Sequence, residues 1–147
     1  MTAIAFVMVL IGLMPAADAA KKESVDQEDI KALQGTWQLV HAESAGKPMP
    51  KQQIQGVKLV ISGTQLKLEF GGENSTGTFT IDPAKKPKTI DSTINFDGDR
   101  GKTLGIYALD GDRLQLCCSI DGKTRPKALA TTPTEAITLW TYKRAKP

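Results

Sequence analysis

Val57-Lys58-Leu59-Val60-Ile61-Ser62-Gly63-Thr64-Gln65-Leu66-Lys67-Leu68-Glu69-Phe70 is the stretch whose reading decides the fold class. Val57, Leu59 and Ile61 alternate with Lys58 and Ser62, and Leu66, Leu68 and Phe70 alternate with Gln65, Lys67 and Glu69. A period of two is that of a strand with one buried and one wet face, because successive side chains point to opposite sides. Ser62-Gly63-Thr64 separates the two runs, so they read as a β-hairpin.

The same period extends in both directions. Leu114, Leu116 and Cys118 alternate with Arg113, Gln115 and Cys117, and Tyr107 to Leu109 precedes them across Asp110-Gly111, a strong hairpin dipeptide. Eight strands are expected, over 36–43, 57–62, 65–70, 77–82, 89–96, 103–109, 113–120 and 137–142. Gly71-Gly72, Pro83 to Pro87 and Asp97-Gly98-Asp99 supply turn chemistry between them. The stretch 46–55, with Pro48 and Pro50, reads as a lid or a single helical turn. The stretch 123–135, with Pro126 and Pro133, reads as a longer connection. Short strands at regular spacing, with no helices between them, make a sandwich or a barrel. The barrel is preferred: eight strands close around an interior just filled by side chains or holding one small ligand, and closure removes exposed edges. The expectation is an all-β, eight-stranded antiparallel barrel, with a two-sheet sandwich as the alternative use of the same strands.

Residues 1–19 read as a signal peptide. Ala3 to Met14 is free of charge, has the length of an h-region and is short for a membrane span. Pro15 breaks the run and Ala17-Asp18-Ala19 has the small-x-small pattern that signal peptidase recognises, although only the α-amino group supplies a positive n-region. Residues 20–34 then form an N-terminal arm and short helix, and 35–147 form the barrel domain. In the arm, Ser24 with Gln27 reads as a capping box opening a helix with Val25, Ile30 and Leu33 on one side, ended by Gly35. The protein is thus expected to be exported to the periplasm or beyond the cell, and not to span a membrane once the leader is removed. No Cys follows the cleavage site to carry a lipid.

The chain carries 19 basic and 16 acidic residues, for a formal charge of +3. Near the C-terminus Lys123, Arg125, Lys127, Lys143, Arg144 and Lys146 face only Glu135, a patch that reads as a solvated face. Nucleic acid is not an expected partner outside the cytoplasm. With one histidine, His41, and two cysteines, neither a histidine cluster nor a Cys-x-x-Cys zinc pattern can be assembled. There is no Gly-x-Ser-x-Gly elbow. The Asp-Gly-Asp runs at 97–99 and 110–112 lack the bidentate Glu of a calcium loop. Asp91 with Glu69 or Asp112 reads as aspartates in water rather than as a glycosidase pair. No enzymatic activity, cofactor or metal is expected. Cys117 and Cys118 are adjacent, so one thiol should fill the core and the other point outward, with Cys117 in a structural role.

Three further positions stand out: Asp91, Arg125 and Tyr107. Asp91 lies in an apolar-alternating strand, and Arg125 opens the long connection to the last strand. They pair in a bridge pinning that connection over the barrel end, or Arg125 grips an anionic ligand at the mouth. Arg125, Asp91 and Tyr107 are the ligand-binding candidates.

Gly35-Thr36-Trp37 on the first strand, with Lys143-Arg144 after the last, resembles the lipocalin-type (calycin) pattern, and that resemblance implies that Trp37 plugs one end of the barrel with Lys143 or the Arg144 guanidinium across its face. Leu33-Gln34-Gly35-Thr36-Trp37, Pro87-Lys88-Thr89-Ile90-Asp91, the run from Gly105-Ile106-Tyr107 to Cys117, and Arg125-Pro126 occur in that order. Together they resemble an uncharacterised lipocalin-like domain family abundant in planctomycete bacteria. The resemblance covers nearly all of the chain after the leader and implies a β-barrel domain, frequently exported, without an established activity or ligand. Leu129 stands where that family tends to place Phe, and Cys118 adds a second thiol. The expected function is that of an exported, non-catalytic binding module holding a small apolar or amphipathic ligand in the barrel. The alternative is a protein–protein interaction barrel such as an envelope protease inhibitor.

Overall fold

Alternation becomes pairing in the computed structural model, which describes residues 16–96, 98–119 and 121–146. The strands are β1 (Gly35–Ser44), β2 (Lys47–Pro48), β3 (Lys58–Ser62), β4 (Gln65–Phe70), β5 (Glu73–Asp82), β6 (Thr89–Phe96), β7 (Asp99–Asp110), β8 (Arg113–Ser119) and β9 (Ile137–Arg144). Each pairs antiparallel with its neighbour, and β1 pairs with β9, closing an eight-stranded barrel to which β2 is a short addition. The register keeps apolar residues together: Leu59 faces Leu68, Ile61 faces Leu66, and Leu114 faces Tyr142. A slip of one residue would turn each of these sets to solvent, so the hydrophobic pattern itself holds the register.

Two strands outrun their sequence signal. β5 starts at Glu73 and β7 at Asp99, in polar stretches without alternation, because β4 and β6 continue to pair beside them. The stretch 46–55 supplies both β2 and one helical turn, α2 (Lys51–Ile54), which buries Ile54. The helix α1 (Ala16–Leu33) is already formed at Ala16, so Ser24 lies inside it and caps nothing. Alanines and charged residues of good helix propensity carry the helix through this region. Of the expected signal peptide, residues 1–15 lie outside the described residues. Among the described residues no helix is long and apolar enough to cross a membrane. The barrel wall also carries Lys58, Lys67 and Glu69 outward and apolar side chains inward, the reverse of a transmembrane barrel.

The inward side chains form one cluster along the barrel. It runs from Leu33 and Trp37 at the α1 end, through Tyr107, Phe79, Leu114 and Tyr142, to Ala42 and Ile54 at the other. A second, smaller cluster lies outside the barrel: Ile106, Cys117, Ile137 and Leu139 point away from the interior, and Leu129 of the long connection covers them. As expected, one cysteine turns inward and the other outward, but the outward one is covered as well. Both are buried, Cys118 against the interior and Cys117 on the outer face beneath the connection.

Candidate functional site

At the α1 end, the tight entry into β1 is made by Gly35 at φ +114°, a conformation that suits glycine. It turns the chain so that Trp37 points straight back under the helix. The Trp37 Nε1–H donates to Leu33 O at 2.9 Å, while the Arg144 guanidinium donates from Nη1 to Gln34 O at 2.7 Å and from Nη2 to Ala32 O at 2.8 Å. Three carbonyls left open by the end of α1 are thus satisfied by two side chains of the barrel. Gln34 fixes the next turn, exchanging hydrogen bonds with the Gly63 backbone.

A polar contact holds the helix one turn earlier. Asp29 Oδ2 accepts from the Tyr107 hydroxyl at 2.7 Å and from Lys88 Nζ at 2.7 Å. Burial, then the hydrogen bond and charge of Asp29, push the Tyr107 hydroxyl well above the usual phenol range. Neither Asp29 nor Lys88 stands out in the sequence: they lie 59 residues apart, and only the closed barrel brings them together.

On the wall, Arg125 Nη1 donates to Gly105 O at 2.7 Å and sits 2.6 Å from Asp91 Oδ1. The second contact is ionic, without hydrogen-bond alignment, since that oxygen has no hydrogen-bond partner. Asp91 and Arg125 therefore meet, but on the outside of β6 and β7 and not over the barrel end. Tyr107 is not with them; its ring is buried in the interior and its hydroxyl faces α1. The other clasp of the connection is Thr131, whose Oγ1 accepts from Gly46 N at 2.9 Å and donates to Glu43.

Inside the barrel, Cys118 lies beside the hydroxyls of Thr103 and Ser92, which hydrogen-bond each other. Burial, then the neighbouring Cys117, pushes the Cys118 thiol up to about 12. Burial also raises Cys117. Neither thiol is poised as a thiolate nucleophile. His41 is half exposed, 3.5 Å from Glu43, with no hydroxyl nucleophile hydrogen-bonded to it among the described residues. No group of three or more His, Cys, Asp and Glu able to hold a metal occurs among the described residues.

Two concavities mark the outer surface. One, of about 540 Å³, is bordered by Ser62, Gln65, Lys67, Thr76, Thr78 and Asn95 on β3 to β6. The other, of about 410 Å³, lies at the bulge where β1 shifts register between Leu39 and His41, against Arg113, Thr141 and Lys143. No protein family, curated protein or solved structure matches this chain.

Proposed function

We propose that this protein is an exported, non-catalytic binding module whose recognition surface is the outside of the barrel and its rim. The carrying observation is the continuous cluster of side chains along the interior, with Trp37, Phe79, Tyr107, Trp140 and Tyr142 among them. A barrel of eight strands has room for its own side chains or for one small ligand, and here large aromatics occupy that room. The outer concavities and the half-exposed Phe70 at the rim remain for a partner. This supports the protein–protein reading, of which an envelope protease inhibitor is one form, over a ligand held within. Burial raises both thiols and leaves neither poised as a nucleophile, which supports a non-catalytic role. Export rests on the charge-free run Ala3 to Met14 and the Ala17-Asp18-Ala19 pattern. Closure of the barrel also supports the lipocalin-like resemblance.

The test is native mass spectrometry of protein purified from its own envelope, paired with affinity capture from envelope extract. The expected outcome is an unliganded mass and a captured protein that is lost when Lys67 and Asn95, or Val40 and Arg113, are replaced. A stoichiometric small-molecule adduct displaced by a hydrophobic dye would overturn the surface reading in favour of the interior one.

A further inference from the structure

We propose that the connection 121–136 is a latch that opens while the barrel stays closed, uncovering Cys117 and the apolar stripe around it and leaving Cys118 sealed inside. This goes beyond the binding reading and does not depend on it.

The stripe is built by register. Ile106 pairs with Cys117, and Cys117 with Leu139, so three outward side chains stand side by side across β7, β8 and β9. An outward apolar row on a barrel wall would ordinarily meet water, yet Ile106 and Cys117 are at most 1% exposed. What covers them is the connection itself. Leu129 packs on the row, and the Cys117 thiol donates to Ala130 O at 3.7 Å, a long and weak bond.

The cover is held at few points. Asp121 starts it with an Asx turn, accepting from the backbone N–H of Lys123 and Thr124. Arg125 clasps it to Gly105 O and Asp91, and Thr131 clasps it to Gly46 and Glu43. Between the clasps the chain joins no strand ladder; Pro126 is buried and Leu129 half-buried, while Lys127, Ala128 and Ala130 are exposed. Segments with few buried contacts and no ladder open at a small fraction of the global unfolding free energy.

Cys118 is secured differently. It pairs with Gly105 on one side and Thr138 on the other, inside the barrel wall, so reaching it means breaking the β7–β8–β9 ladder. Two thiols one peptide bond apart therefore report on two different openings of the same protein.

Single-cysteine full chains separate them: Cys118→Ala retains Cys117, and Cys117→Ala retains Cys118. Each is labelled with N-ethylmaleimide under reducing conditions at sub-denaturing urea and followed by intact mass, with rates divided by those of the unfolded chain. Cys117 should label with a shallow urea dependence, since little surface is exposed by the latch, and Cys118 with the full slope of global unfolding. Arg125→Met in the Cys118→Ala chain should raise the Cys117 rate by about 10- to 100-fold, as expected for the loss of a charge-assisted hydrogen bond. The Cys118 rate should change only as far as the unfolding midpoint moves. Leu129→Ala should act in the same direction as Arg125→Met. If either replacement prevents folding, the two urea slopes decide the matter alone. Equal, steep slopes for both thiols would overturn the latch, as would a Cys117 rate unmoved by Arg125→Met.

Discussion

Arg144 lies across Trp37, its guanidinium carbon 4.2 Å from the centroid of the ring, and the two side chains together close the C-terminal end of α1. The planar cation uses its face on the indole and its edges on the carbonyls of Ala32 and Gln34, with Nε 3.2 Å from Asp112. Lysine offers a point charge on a flexible stem and cannot make this set of contacts at once. The helix dipole adds to the attraction, since the cation sits at the negative end.

Arg144→Ala should therefore cost more than a stacked surface cation would, about 2–3 kcal/mol in urea melts, because two hydrogen bonds from a charged donor are lost. Arg144→Lys should recover only part of it. A loss below about 1 kcal/mol would equal that of an ordinary surface pair and would mean that the carbonyls are satisfied by water instead.

Trp37 is fully buried, and its indole is the floor on which both the helix end and the barrel core rest. Trp37→Ala should cost about 3–5 kcal/mol, against a domain stability of roughly 5–15 kcal/mol. Trp37→Phe keeps most of the buried area but leaves Leu33 O without its donor, so it should fall between wild type and Trp37→Ala. Denaturation midpoints of the three proteins check the order.

Gly77 faces inward on β5, where a Cβ would run into the carbonyl oxygen of Thr93 and the Cα of Ile94 on β6. These are backbone atoms and cannot move aside. Gly77→Ala should destabilise by about 1–3 kcal/mol, the usual range for overpacking. Gly101 on β7 is the control, since its nearest neighbour to a new Cβ is 3.8 Å away. Gly101→Ala should be neutral or gain up to about 1 kcal/mol by restricting the unfolded chain. Thermal melts of the two variants give the comparison.

The parts of this fold that were legible in the sequence are those decided by near neighbours. The hairpin 57–70 and the Asp110-Gly111 turn follow from alternation and turn chemistry within a few residues. Trp37 and Arg144 were legible because a glycine turn opens the first strand and a basic pair ends the last, and those two strands pair in the closed barrel. Illegible parts depend on distant chain. Asp29 looks like any helix carboxylate until Tyr107 arrives from β7, 78 residues away, and Lys88 from the turn before β6, 59 residues away. That the outward thiol, Cys117, is also buried was not legible, because alternation gives the direction of a side chain and not what later covers it. The starts of β5 and β7 have no signal of their own, since their pairing partners impose them.

High pH should weaken the fold in two stages. Burial raises the Cys118 thiol to about 12, and burial likewise raises the hydroxyls of Tyr107 and Tyr142 above the usual phenol range. Each folded group holds its proton longer than the unfolded chain does. The stability this carries is complete below the unfolded pKa and is lost as pH rises towards the folded one. Unfolded thiols titrate near 8.5 and phenols near 10, so the decline should begin above about pH 8.5 and steepen above about pH 10. Each group contributes a slope of about 1.4 kcal/mol per pH unit within its window. Tyr107→Phe separates the parts. At pH 7 it loses the hydrogen bond to Asp29 and should be less stable by about 1 kcal/mol. Above pH 10 it has one proton fewer to release on unfolding, so its curve should fall less steeply and approach that of wild type. Urea melts from pH 7 to pH 11 measure both effects. Parallel curves above pH 10 would mean that Tyr107 titrates in the folded protein as freely as in the unfolded chain, and that its hydroxyl is not the buried donor to Asp29.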